Sequence, residues 1–558
     1  MDKLTAITYP SGTKVNYSFD AQGYLTAISV NPVNANGVGT GTLTSPLLSA
    51  LSYNAENKLS GWLWADGKAR TIGYDSVGLV SSYTLGDPLG SGAAAGALRS
   101  VNRDAAGRIT GYSHVNNGLA VTGQDQSFGY DNLNRLLSAS LAGSGISTLY
   151  SYDETGNRTS KTVGASTYSN TVSPTSNRLT QTQDVLGTAL LQYDAAGHIT
   201  SDGANSFTYT YTDRGRMSSA VTAGGTVNYL YNGLNQRVGK SGPTAVVPTG
   251  AAYYVYDEAG QLLGEYDAAG TPIYETIYLN NLPVGVMKQT GSAAGSDIAV
   301  NLYNLHADHI ATPRVITRQD ETIVWRWDTA EAFGGTAPEQ DPSGLGAFVF
   351  NQRFPGQVFD AETGLFQNWN REYNARLGRY IQSDPIGLRG GINTFAYVGG
   401  NPLSYTDPMG LARILKPDFK SFNDGVQWAK KYQDLFDQNN SMRERIKKNC
   451  PQLLQKFDDW TISLDPNIDG GYGKRAGGMY AKTTYSTQSS QFNWSFFNRQ
   501  FGDPSAAEIF AHEFRHLMDA NNNLVRPGDG LRDPKKTPSE MDADAWATKF
   551  WSEQCDCK

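Results

Sequence analysis

Two rhythms of apolar and polar residues divide the chain. Up to about residue 280 the period is two, with rings alternating with small or polar residues and each run ending in a tight-turn signal. The unit reads aromatic-x-Tyr-Asp-x-x-Gly, followed by Leu, Ile or Arg, and returns roughly every twenty residues. It stands at Tyr17-Ser-Phe-Asp20-Ala-Gln-Gly23, Tyr74-Asp75-Ser-Val-Gly78, Tyr130-Asp131-Asn-Leu-Asn-Arg135 and Tyr152-Asp153-Glu-Thr-Gly156. Further copies are Tyr193-Asp194-Ala-Ala-Gly197 and Tyr256-Asp257-Glu-Ala-Gly260. Alternation puts the rings on one sheet face, the Asp side chain can bond its own backbone, and Gly supplies the positive φ that closes a hairpin. One hairpin cannot bury its own face, so the pattern predicts a long sheet of stacked hairpins.

After residue 411 the period changes to that of a helix. Val426, Trp428, Ala429, Tyr432, Leu435 and Phe436 fall on one face of 423–436. Further helices are expected at 441–449 and from Pro451 through Trp460, then strands at 479–485 and 491–497. Asp503-Pro504 opens another helix, with Asp as N-cap and Pro at the first position, and Ile509, Phe510, Leu517 and Met518 provide its apolar residues. The fold class expected is therefore a mostly β repeat sheet followed by a small α+β domain, divided as 1–280, 281–411 and 412–558.

Composition narrows the function. A net charge of −7 without a basic stripe argues against nucleic acid as a partner. No run of eighteen apolar residues occurs, so no membrane span is expected, and the first residues lack the apolar core of a signal peptide. The three cysteines, Cys450, Cys555 and Cys557, suggest free thiols rather than a disulfide framework.

The C-terminal pattern carries chemistry. His512 and His516 are four apart on the expected helix and point the same way, so both imidazoles can grip one zinc ion. Glu513 then lies where it can take a proton from a metal-bound water. A third ligand is expected from the helix at Thr537–Trp546, where Glu540 and Asp544 share a face. These two resemble the Glu-x-x-x-Asp element of gluzincin metallopeptidases, which implies Glu540 as ligand and Asp544 as the group orienting a ligand histidine. Thr537-x-x-Glu540 is also a capping box, and Asp519 or Asp542 can substitute. The domain is thus expected to be a zincin-like metalloendopeptidase with Zn²⁺ as cofactor.

The Tyr-Asp units resemble the YD repeats of the Rhs family of polymorphic bacterial toxins. The family's core is matched by Tyr278-Leu-Asn-Asn-Leu-Pro283, Leu305-His-Ala-Asp-His309-Ile-Ala-Thr-Pro313-Arg314, Arg353-Phe-Pro-Gly356 and Glu362-Thr-Gly-Leu365 through Tyr373. It ends with Gly378-Arg-Tyr380-Ile-Gln-Ser-Asp384-Pro-Ile-Gly-Leu388 and Asp407-Pro408-Met-Gly410-Leu411. The resemblance implies a wound, hollow β-shell around a toxin domain. His306 and His309 are expected to be structural.

Two Asp-Pro-x-Gly-Leu elements can be no more than two turns. Two carboxyls in a dry site cannot both ionise cheaply, however, and such a pair can activate water and polarise a carbonyl. The resemblance implies self-cleavage between Leu411 and Ala412, with Asp384 and Asp407 as the pair and Arg371 assisting. It also implies a cognate immunity protein, and export of type VI kind on a VgrG/PAAR-type spike or with a shell-completing partner. The toxin would be held inactive in the producer's cytoplasm and would attack a protein substrate inside a target cell. A surface adhesion protein, a Tc-complex C component and a nuclease cargo are the alternatives.

Overall fold

The computed structural model describes residues 3–31, 45–86, 97–185, 187–290 and 299–411, and the backbone of four further short strands. Two compact units divide at Phe422/Asn423.

The first unit is built by the Tyr-Asp turn. In the turn opened by Asp131, Oδ1 accepts the N–H groups of Leu133 and Arg135 (both 2.9 Å), and the Asp131 N–H donates back to the Arg135 carbonyl at 3.0 Å. The turns at Asp75 and Asp257 repeat all three bonds. Gly78 and Gly260 take φ of 82° and 79° there, a conformation open to glycine at little cost. The tyrosine joins one hairpin to the previous one: Tyr74, Tyr130, Tyr152 and Tyr256 donate to the carbonyls of Leu59, Ile109, Leu136 and Arg237 at 2.8–2.9 Å. Tyr and Asp therefore do different work, one stacking repeats and the other closing the turn.

Stacking yields, among the described residues, a single antiparallel sheet of 29 strands from Ala6–Thr8 to Ile323–Arg326, each strand pairing with the next through most of its length. A sheet longer than about ten strands has to twist and curl. The inner face of this one winds onto the chain's own later segment. Arg70 donates to the Ala307 carbonyl, Arg99 to the Asp328 carbonyl, and the Ile199 N–H to the Ile381 carbonyl. Leu179, Leu191 and Ile199 of the wall pack with Leu365, Leu377 and Ile381, while Tyr83, Val101 and Tyr150 pack with Phe333 and Leu403. Over these strands the wall covers a packed core.

That core holds a four-stranded antiparallel sheet, Val358–Asp360, Leu365–Asn368, Arg371–Asn374 and Arg379–Tyr380, almost wholly buried. His306 is buried with its ring 5.0 Å from Trp64, and His309 Nε2 meets the Leu403 carbonyl at 2.9 Å, as structural residues do. Past Leu411, Ile414–Leu415 pairs antiparallel with Tyr405–Thr406.

In the second unit, Ser489–Asn493 lies between Thr461–Asp465, parallel to it, and Ala481–Thr484, antiparallel. The strand expected at 479–485 is there in shortened form. The one expected at 491–497 begins earlier, because pairing of Ser489 with Thr484 starts the hairpin before the aromatic run does. The strand at 461–465 was missed. The helices expected in 412–558 lie outside the described residues.

Candidate active site

Arg371 opens a fully buried strand and is 2% exposed. Its guanidinium gathers the end of the core. Nε donates to the Gly410 carbonyl at 2.5 Å and Nη1 to the Thr394 carbonyl at 3.0 Å. Nη2 lies 3.0 Å from Asp384 Oδ2 and 3.3 Å from Asp407 Oδ2. The two carboxyls, 23 residues apart in sequence, thus share one guanidinium nitrogen in a buried site.

Both aspartates are held by their own turns. Asp384 Oδ1 accepts the Ile386 N–H at 3.0 Å, and Asp407 Oδ1 accepts the Leu411 N–H at 2.9 Å. Each Asp-Pro-x-Gly element is therefore a variant of the repeat turn, with the second carboxyl oxygen aimed at Arg371. The bland reading of two turns is correct as far as it goes; the core brings the turns together.

The surroundings of the two carboxyls differ. Burial pushes the Asp384 carboxyl up to about 7, outweighing the stabilising Arg371 charge and the Ile386 hydrogen bond, with a smaller upward push from Asp407. Asp407 instead sits among donors. Tyr380 donates to its Oδ2 at 2.8 Å, and Asn368 Nδ2 donates both to the Tyr380 hydroxyl (2.7 Å) and to the Asp407 carbonyl (2.9 Å). A carboxyl raised to where it can hold a proton, beside a second carboxyl held by donors, is an arrangement for general acid–base chemistry.

Sequence reasoning missed Tyr380, Asn368 and Gly390. Tyr380 carried only a weak signal: it stands four residues before Asp384, not directly before it as in the Tyr-Asp units. Gly390 left none: a Cβ built there would lie 2.3 Å from Asp384 Oδ2 and 3.1 Å from the Leu411 carbonyl oxygen.

Ala412 and the expected zinc-site residues His512, Glu513, His516, Glu540 and Asp544 lie outside the described residues. Among the described residues no cluster of three His, Cys, Asp or Glu side chains can hold a metal ion, and no helix is long and apolar enough to cross a membrane.

Comparison with known proteins covers the wall and core. The chain is 28% identical over 276 residues to Double-stranded DNA deaminase toxin A of Burkholderia cenocepacia, covering 42% of this chain and 17% of that protein. It is 40% identical over 107 residues to Toxin protein Tse5 of Pseudomonas aeruginosa, covering 19% and 8%. The chain thus spans less than a fifth of either relative. The Tc holotoxin pore of Photorhabdus luminescens shares the fold with a TM-score of 0.54 at 17% identity, over 73% of this chain and 20% of that one. The Teneurin YD-shell family model matches residues 98–389, more than half of the sequence. With those residues forming much of the wall of Tyr-Asp turns and most of its core, the chain belongs to the Teneurin YD-shell family.

Proposed function

We propose that the chain is a bacterial Rhs-type toxin whose wall holds a core that cuts its own backbone once, between Leu411 and Ala412. The observation that carries this reading is the shared contact of Arg371 Nη2 with Asp384 and Asp407, made where Asp407 also holds the Leu411 N–H. In the reaction, Asp384 donates a hydrogen bond to the Leu411 carbonyl oxygen while Asp407 takes a proton from an attacking water. The hydroxyl adds to the carbonyl carbon, the C–N bond breaks, and a proton passes to the Ala412 nitrogen. The products are a Leu411 carboxyl and an Ala412 amine. Arg371 keeps the two carboxyls adjacent and limits their repulsion. On a denaturing gel the parent chain should give two bands, and Asp384→Asn one full-length band; an intact parent rejects the assignment.

The released segment, 412–558, is proposed to be a zinc peptidase. Two imidazoles one turn apart and a carboxylate form a donor set that fits zinc, so His512, His516 and Glu540 would hold it, with Asp544 orienting a histidine. Zinc bound there would supply Lewis acidity. Glu513 accepts a proton from water and returns it to the leaving amine of a protein substrate in a target cell. Such an activity needs confinement in the producer, which supports an immunity protein. Export on a spike, or with a shell-completing partner, rests on the toxin relatives and the shared fold.

A second reading makes the released segment act on DNA. It is favoured by relatives named as a DNA deaminase toxin and as probable deoxyribonucleases. Toxicity that survives Glu513→Ala would select it.

A further inference from the structure

In the turn opened by Asp407, whose Oδ1 accepts the Leu411 N–H at 2.9 Å, the carbonyl four residues on is that of Leu411. It lies beside Gly390, where an added Cβ would stand 3.1 Å from its oxygen and 2.3 Å from Asp384 Oδ2.

Gly390 ends a short 3₁₀ turn, Gly387–Gly390, that follows Asp384-Pro385. Its φ lies outside the left-handed range, so glycine is not required there by the backbone. What the position needs is an absent side chain. Asp384 is tied at Oδ1 to the Ile386 N–H and at Oδ2 to Arg371, so a methyl group at 390 would force the carboxyl off Arg371 and away from the carbonyl. The side chain is the part free to yield, and the backbone around it can stay in place.

We propose that Gly390 is the positioning residue for self-cleavage: its missing side chain is the gap through which Asp384 faces the Leu411 carbonyl. This rests on the self-cleavage reading above. The Leu411 carbonyl is thereby offered to an acid across a space that only glycine leaves open.

The test is a time course of cell-free synthesis of the full chain, with cleavage read on a denaturing gel, for the parent, Gly390→Ala and Gly233→Ala. Gly233 also lies outside the left-handed range and has open space where a Cβ would go, so its alanine variant should cleave at the parent rate. Gly390→Ala should keep the parent's melting temperature within a few degrees and cleave about a hundredfold more slowly or worse. Its residual rate should have a shifted pH midpoint, because the displaced Asp384 has left Arg371; a merely structural defect would leave that midpoint unmoved. Parent-rate cleavage overturns the proposal, and so does loss of the fold, since the geometry requires the Asp384 carboxyl to yield first. If instead the parent stays intact, or Asp384→Asn cleaves like the parent, the self-cleavage reading itself fails.

Discussion

The Tyr380 hydroxyl donates to Asp407 Oδ2 at 2.8 Å, while the ring of the same residue carries the Arg371 guanidinium 3.6 Å from its centroid. One fully buried side chain thus contacts two of the three charged groups of the site. Tyr380→Phe keeps the stacking surface and removes only the hydrogen bond. The expected result is a chain of nearly unchanged stability that cleaves roughly 10-fold more slowly, the scale of one lost hydrogen bond to a charged group. Cleavage at the parent rate would remove Tyr380 from the account.

The pH dependence follows from Asp384. Its carboxyl is pushed up to about 7 by burial, so it keeps its proton below that value and loses it above. As the acid of the reaction it is competent only when protonated. Cleavage should therefore proceed at a constant rate between pH 5.5 and 6.5 and fall by about tenfold per unit once well above 7. A rate that rises through neutrality would assign Asp384 the opposite role.

Glu372, the neighbour of Arg371, offers a test of the wall–core joint. It is buried, and desolvation raises its carboxyl to about 7 against the opposing pull of Arg237. A carboxyl raised on folding favours the folded state most below its unfolded value, and that contribution disappears as pH climbs from about 4.5 through about 7. Glu372→Gln should accordingly be more stable than the parent at pH 8, by about 1–3 kcal/mol, with a smaller difference at pH 4. Denaturant unfolding at both values checks this; an equal difference at the two would contradict it.

The C-terminal reading makes a separable prediction. Residues 412–558 produced in susceptible bacteria should arrest growth, whereas Glu513→Ala should not, and both should carry about one zinc per chain. His512→Ala should lose the metal along with the toxicity. Equal toxicity of parent and Glu513→Ala would discard the peptidase.

The wall was legible because its rules are local. Asp, Gly and the alternating rings of each unit act within one hairpin, and the tyrosines at 74, 130, 152 and 256 reach the preceding one. The active-site geometry was not local. Arg371, Asp384 and Asp407 come from a strand and two turns, and pairing them needed the likeness to Rhs cores rather than any spacing in the residues themselves. Tyr380 was passed over as one ring among many, because it stands four residues before Asp384 and not directly before it as a repeat tyrosine does. Gly390 was beyond reading, since a contact that depends on a missing side chain becomes visible only when its neighbours have coordinates. Thr461–Asp465 was missed because the apolar run before it, ending at Trp460, fits a helix by period.

The most direct measurement is the intact mass of the purified full-length product. Two polypeptides are expected, one ending with the free carboxyl of Leu411 and one beginning with the free amine of Ala412, and a single intact mass for Asp407→Asn. A single full-length mass for the parent, or a cut at any other bond, would contradict self-cleavage at this bond.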